Sequence, residues 1–166
     1  IGRGMGRKMR AVITDMSQPL GRTVGNTLEI EECIDCLKGG GPGYLQLVGS
    51  SRLSTELGDF VESVNKARKA PFIFDYQFDA NGHPENIYCR SDHANYARFG
   101  IPVTFFTTGL HKDYHQVTDE PQYIDYPHMA AVGQLVYDVA LGVANADHRM
   151  LVDKPKPSSP NAACKQ

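Results

Sequence analysis

No apolar run in this 166-residue chain reaches the roughly 18–20 residues that span a bilayer, so no membrane-crossing helix is expected. Charge of one sign is not in excess either. Lys and Arg number 17 against 19 Asp and Glu, a formal net charge of -2, which gives no general attraction to nucleic acid or to anionic membranes. Residues 1–10 are basic and Gly-rich but lack the apolar stretch of a secretory leader; no signal peptide is visible, and the chain as given is expected in the cytoplasm. Cysteine is scarce, at four. Cys33 and Cys36 form a C-x-x-C pair inside a helical pattern, while Cys89 and Cys164 stand alone. The second half of a four-thiolate zinc motif is missing, so packing or surface thiols are the favoured reading, with redox and zinc roles left open. Few cysteines without a framework fit a reducing compartment. No Gly-x-Ser-x-Gly elbow occurs. Ser91, Asp92 and His93 are adjacent, so their side chains diverge and do not form a triad among themselves. Ser50, Ser51 or Ser54 beside a loop histidine leaves a weak esterase reading open. Internal repeats are absent.

What is present suits one soluble domain: 41% apolar and 22% charged residues. A short buried strand is expected at residues 10–15. A helix follows from about Thr27, with Leu28, Ile30, Cys33, Ile34 and Leu37 near one face. The run Gly39-Gly-Gly-Pro-Gly43 stops that helix and is the strongest linker signal in the chain. It is not a phosphate loop, because no Lys-Ser/Thr follows it. From Tyr44 the pattern becomes an α/β alternation. Strands are expected at 44–48, 72–78 and 101–107. Helices are expected from the N-cap Ser54 to about Ala67, from the N-cap Asp92 to about Phe99, and from Pro127 to about Ala146. The last should face inward with Met129, Val132, Leu135, Val136, Val139 and Val143. The expected fold is a three-layer α/β arrangement with a mostly parallel central sheet flanked by helices, the strand at 10–15 adding at one edge. Three parts are expected: 1–43, 44–151, and a mobile tail at 152–166.

Two stretches resemble two different families. Gly49-Ser-Ser-Arg-Leu-Ser-Thr-Glu-Leu, Arg90-Ser-Asp-His-Ala-Asn-Tyr-Ala-Arg-Phe-Gly-Ile-Pro-Val, Gly109-Leu-His-Lys-Asp-Tyr-His-Gln-Val-Thr-Asp-Glu-Pro, then Ile124-Asp-Tyr and the final helix stand in one order. They resemble the C-terminal half of M28-family zinc aminopeptidases, over about residues 44–151. Thr14-Asp-Met-Ser-Gln-Pro-Leu-Gly-Arg-Thr-Val-Gly-Asn-Thr-Leu-Glu-Ile, with Lys38-Gly-Gly-Gly-Pro, resembles pyrimidine-nucleoside (thymidine) phosphorylase over about residues 6–42. The join falls in the Gly39–Gly43 linker, and the whole reads as a fusion of two truncated segments.

The first resemblance implies a zinc-dependent aminopeptidase site, in which metal lowers the pKa of a bridging water and a carboxylate takes its proton. It implies ligands from an early His-x-Asp, a Glu-Glu pair that also supplies the base, a later Asp and a final His. His115 matches the final His. The others would precede Tyr44, where residues 1–43 contain no histidine. Glu31-Glu32 belongs to the phosphorylase-like block and reads as a solvated helix face. Three protein ligands are the usual minimum for catalytic zinc. His93, His111 and His115, all in strand-end loops, are the candidate metal ligands for a makeshift site; the competing reading is exposed histidines left from a lost one. Tyr114 is the catalytic candidate, a hydrogen-bond donor to an oxyanion by resemblance. Asp92 resembles a pocket-lining, substrate-binding residue, although its position favours an N-cap. Asp119 resembles a loop-ordering residue.

The resulting expectation is a remnant of a zinc aminopeptidase domain without efficient activity. An active metallopeptidase or esterase-like hydrolase with a rebuilt or intersubunit site, acting on a peptide or small ester, stands second. A nucleoside-binding module derived from the phosphorylase stands third; its pyrimidine-contacting residues have no counterpart here. A half-domain also leaves sheet edges and apolar faces uncovered, so a homo-oligomer is expected.

Overall fold

Five residues, Tyr44–Val48, form β1, and everything else described in the structure is arranged around them. The computed structural model of the chain describes residues 43–111, 113–156 and 158. The strand expected at 10–15, the helix from Thr27, the Cys33–Cys36 pair, Glu31-Glu32 and the whole phosphorylase-like block lie outside the described residues. β1 is the middle of a three-stranded sheet, between β2 (Ile73–Asp75) and β3 (Phe105–Thr107). It runs parallel to β2, with Leu45 opposite Phe74, and antiparallel to β3, with Leu47 opposite Phe106. The α/β class holds, with a small mixed sheet of three strands and its helices among the described residues.

The parallel pair needs a crossover, and α1 (Thr55–Lys66) supplies it. Ser54 caps α1 as its sequence position indicates: the backbone is extended and the side chain accepts from the Leu57 N–H at 3.0 Å. Gly58 lies where α1 passes over the turn before it, and a Cβ there would sit 1.9 Å from the Ser51 hydroxyl. Asn65 holds the return to β2 by exchanging two hydrogen bonds with the Phe72 backbone, at 2.8 and 2.9 Å. The long helix α3, Tyr126–Ala144, begins at Asp125, whose carboxylate accepts from the His128 N–H at 3.0 Å.

Side chains alternate along β1, so its two faces meet different neighbours. Leu45 and Leu47 enter the main core with Leu57 and Val61 of α1, Phe72, and Val132, Leu135 and Val139 of α3. Val48 faces the other way and packs with Ile87, Tyr88 and Ala97. These come from a 3-10 turn, Ile87–Cys89, and a short helix, α2 (His93–Ala97).

The structure corrects three expectations. The strand expected at 72–78 stops at Asp75, whose carboxylate accepts from the Tyr44 hydroxyl, the Gln46 amide and the Gln77 N–H; the chain then turns into a 3-10 segment, Gln77–Asp79. The strand expected at 101–107 starts only at Phe105, because β1 ends at Val48, before Gly49 (φ +83°), and offers no partner further back, while Pro102 has no N–H to donate. Val136 is 42% exposed, not inward: the buried stripe of α3 runs through His128, Val132, Leu135 and Val139, and Val136 falls beside it. Leu151 and Asp153, close after α3, lie against the start of α1. Thr55 N–H donates to the Asp153 carboxylate at 2.9 Å, and Leu151 N–H to Glu56 at 2.7 Å.

Leu47 is fully buried. Leu47→Ala is expected to destabilise the chain by about 2–5 kcal/mol, the range for large-to-small core changes, whereas Val136→Ala should shift stability by less than about 1 kcal/mol. Urea unfolding of the two variants checks the pair. Equal losses would place the core elsewhere.

Candidate functional site

β3 leads into the segment that carries most of the candidate residues. It passes through Gly109 (φ +98°) and then folds in successive turns. Tyr114 N–H donates to His111 O at 3.1 Å, Gln116 N–H to Asp113 O at 2.8 Å, and Asp119 N–H to Gln116 O at 3.1 Å. The Asp113 carboxylate accepts from the Thr118 hydroxyl at 2.8 Å, closing the middle of the loop.

Three aromatic rings follow one another along these turns. His115 stacks on Tyr114 with centroids 3.9 Å apart and planes at 19°, and His111 meets Tyr114 edge-on at 6.1 Å. Below them the His111 Nε2 lies 3.9 Å from an Asp119 carboxylate oxygen, with both side chains largely buried. His115 has φ +59°, a left-handed conformation that few residues other than glycine adopt, and its side chain is exposed. Holding it there is a local strain of the kind concentrated at functional loops.

His93 belongs to a different environment. Its ring lies 4.6 Å from that of Phe105 and 6.1 Å from that of Tyr88, against the second face of the sheet. Burial holds its pKa below the ordinary histidine value, against the opposing pull of the Ile87 and Tyr88 backbone and of Asp92. His93 is therefore a neutral packing ring, shared between α2 and β3. Asp92 is exposed and does not cap α2: its backbone is helical (φ -60°, ψ -29°), and no side-chain capping bond forms. Capping needs an extended backbone that folds the side chain back over the first turn, and here the turn has already begun at Ser91, whose carbonyl accepts from Ala94 N–H.

Among the described residues, no three His, Cys, Asp or Glu side chains converge on a point that could hold a metal ion. The set His93, His111 and His115 does not meet the needs of a zinc centre by itself. An open cleft of about 760 Å³ is lined by Gly43, Arg68, Phe72, His128 and Gln134 among others, and contains none of the candidate residues.

Two polar clusters escaped the sequence reading. Gln46, in the centre of β1, is buried and bonds Asp75, the Tyr44 hydroxyl and the Phe78 N–H. One glutamine inside Tyr-Leu-Gln-Leu-Val was the available signal, since a buried amide needs partners. At the end of β1, Asp79 accepts from the Gly49 N–H at 3.0 Å and from Arg52 Nε at 2.5 Å, while the Arg52 guanidinium lies over the Tyr88 ring at 4.6 Å. Nothing in the spacing of residues 52, 79 and 88 announces that triad.

A family model, Peptidase family M28, matches residues 33–140, from ahead of β1 to within α3. The chain belongs to peptidase family M28. It is also similar, over short segments, to pyrimidine-nucleoside phosphorylases: 62% identical over 46 residues to that of Geobacillus stearothermophilus, covering 28% of this chain and 11% of the relative. The Staphylococcus aureus (strain USA300) protein is 60% identical over 42 residues, 25% of this chain and 10% of the relative. The chain thus spans about a tenth of the length of the curated relatives it matches. No solved structure matches the chain. Both resemblances read from the sequence are thereby found, which is consistent with a two-part composite.

His93 binds its proton more weakly in the folded chain than in the unfolded one, so acid should favour unfolding. That loss begins as pH falls through the unfolded histidine value of about 6.5 and levels off below the folded value. His148 acts in the opposite sense. Asp147, then Glu56, raise its pKa, so its contribution is present at low pH and fades as pH rises. The wild-type curve mixes both. Subtracting the curve of His93→Phe should leave a stability difference that is flat above about pH 7.5 and falls below about pH 6.5. A difference that stays flat to pH 5 in urea titrations would remove His93 from the buried, neutral role.

Proposed function

We propose that this chain is the C-terminal part of an M28 peptidase domain joined to a phosphorylase-derived segment, and that alone it has no efficient aminopeptidase activity. One observation carries this reading. Of the residues that the resemblance assigns to metal, His115 is the one with a counterpart, and it stands exposed on its loop with no converging group of donors among the described residues. A lone imidazole does not hold catalytic zinc, and no general base is matched. Tyr114, whose ring stacks on His115, would in this reading be the oxyanion donor to a peptide or small ester and the exposed Asp92 the substrate contact, but the water-activating half is wanting. In this reading the mixed sheet is the remaining part of a three-layer, mostly parallel one, and zinc belongs to the family more than to this chain. The short phosphorylase matches support descent of one segment, not nucleoside binding.

The purified chain supplied with zinc is expected to release amino acids from aminoacyl reporters at background rate, since losing a general base alone typically costs ~10²–10⁴-fold. Chelator-sensitive turnover that disappears in His115→Ala would establish the alternative, a working hydrolase with a rebuilt or intersubunit site.

The sheet also supports self-association. β2 and β3 are edge strands among the described residues, and Ile73 on β2 is 75% exposed. Open edges pair readily with another chain. Light scattering at micromolar concentration is expected to give a multiple of the 18.3 kDa chain mass, and a stable monomer would defeat the assembly.

A further inference from the structure

After α3 the chain runs back across the start of α1 and on to the end of α2. Met150 packs against the main core, Lys154 N–H donates to Leu53 O at 3.4 Å, and the Lys156 side chain lies over Gly100, where a Cβ would meet it at 2.9 Å. His148 stands at the head of this segment with a carboxylate at each ring nitrogen. Its Nδ1 is 2.5 Å from Asp147, and its Nε2 is 2.6 Å from Glu56 of α1. Both partners are acceptors. A neutral imidazole has one N–H and one lone pair, so neither tautomer serves two carboxylates, whereas the imidazolium serves both. The second Glu56 oxygen accepts from Leu151 N–H at 2.7 Å, so one carboxylate ties both the ring and the backbone of the segment to α1. Asp153 faces Glu56 and accepts from Thr55 N–H, with Lys154 beside it. Asp147, then Glu56, hold the His148 pKa above the ordinary histidine value.

We propose that residues 147–156 form a proton-gated strap, clasped to α1 through Glu56 while His148 is charged and released when the ring is neutral. The direction follows from linkage. In a released strap His148 titrates near the ordinary value of about 6.5, and in the clasped strap it titrates higher. Clasping is therefore fully favoured below about pH 6.5 and is lost as pH rises through the clasped value. Once neutral, the ring turns a lone pair toward one carboxylate, and attraction becomes repulsion. Release takes Met150 from its core neighbours and Asp153 from the first turn of α1. The ion pairs are exposed, so the gate is graded: the open fraction changes several-fold across the transition. The proposal is independent of whether any peptidase activity remains.

Limited trypsin digestion of the purified chain tests it. Arg149 precedes Met150 and is the cleavable site in the strap, since Lys154 and Lys156 each precede proline. The rate of cleavage after Arg149, mapped by peptide mass and divided by that of a synthetic peptide of residues 145–154 in the same buffer, reads the open fraction. It should rise about three- to fivefold from pH 6 to pH 8.5. In His148→Gln it should be flat, at the high-pH level of the wild type. Cleavage after Arg68, which Ala131 and Asp138 hold in the fold, should not follow. A flat wild-type ratio, a His148→Gln variant that keeps the wild-type slope, or Arg68 cleavage rising in parallel would each overturn the strap. Ring titration by NMR gives a readout without protease. His148 should titrate above about 6.5 in the wild type and fall back toward that value in Glu56→Gln, and a wild-type value at or below it would refute the clasp.

Discussion

The burial of β1 on both faces is the constraint on which the described structure depends. Leu45, Leu47 and Val48 have no exposed surface, and Gln46 is 2% exposed. A strand enclosed in this way must be covered twice. One side takes the two long helices, and the other takes short turns and α2, which are too small to exclude water without aromatic rings. That is why Tyr88, Phe105 and His93 lie together there, and why burial keeps the His93 ring neutral. A candidate ligand of the makeshift site is thus part of the packing.

The two classes of candidate residue differ in how they are supported. His93 is tied to the sheet through rings on either side. Tyr114 and His115 depend on a chain of turns whose internal bonds are local, and on the partly enclosed His111–Asp119 contact. Such a loop can hold one side chain in a left-handed conformation, as at His115, but it cannot bring donors from distant elements to the same point.

Apolar surface on the outside of α3 and the edges of β2 and β3 are left uncovered among the described residues. Burying such surface is favourable in proportion to its area, so the balance falls to whatever chain segment or partner fits it.

Much of the local structure was legible in the sequence. β1 occupies the expected residues, the Ser54 cap follows from a serine ahead of an apolar period, and α3 begins within a residue of Pro127. These features depend on neighbours in the chain, and the ordered motif blocks carried the family in the same way. Tertiary structure alone decided the rest. β2 and β3 are short because β1 gives them only a few partners, a limit that their own apolar runs do not encode. The Asp92 cap failed because the turn before α2 had already taken a helical backbone. Whether three loop histidines meet is a matter of where separate elements end in space, and periodicity along the chain carries no information about that distance.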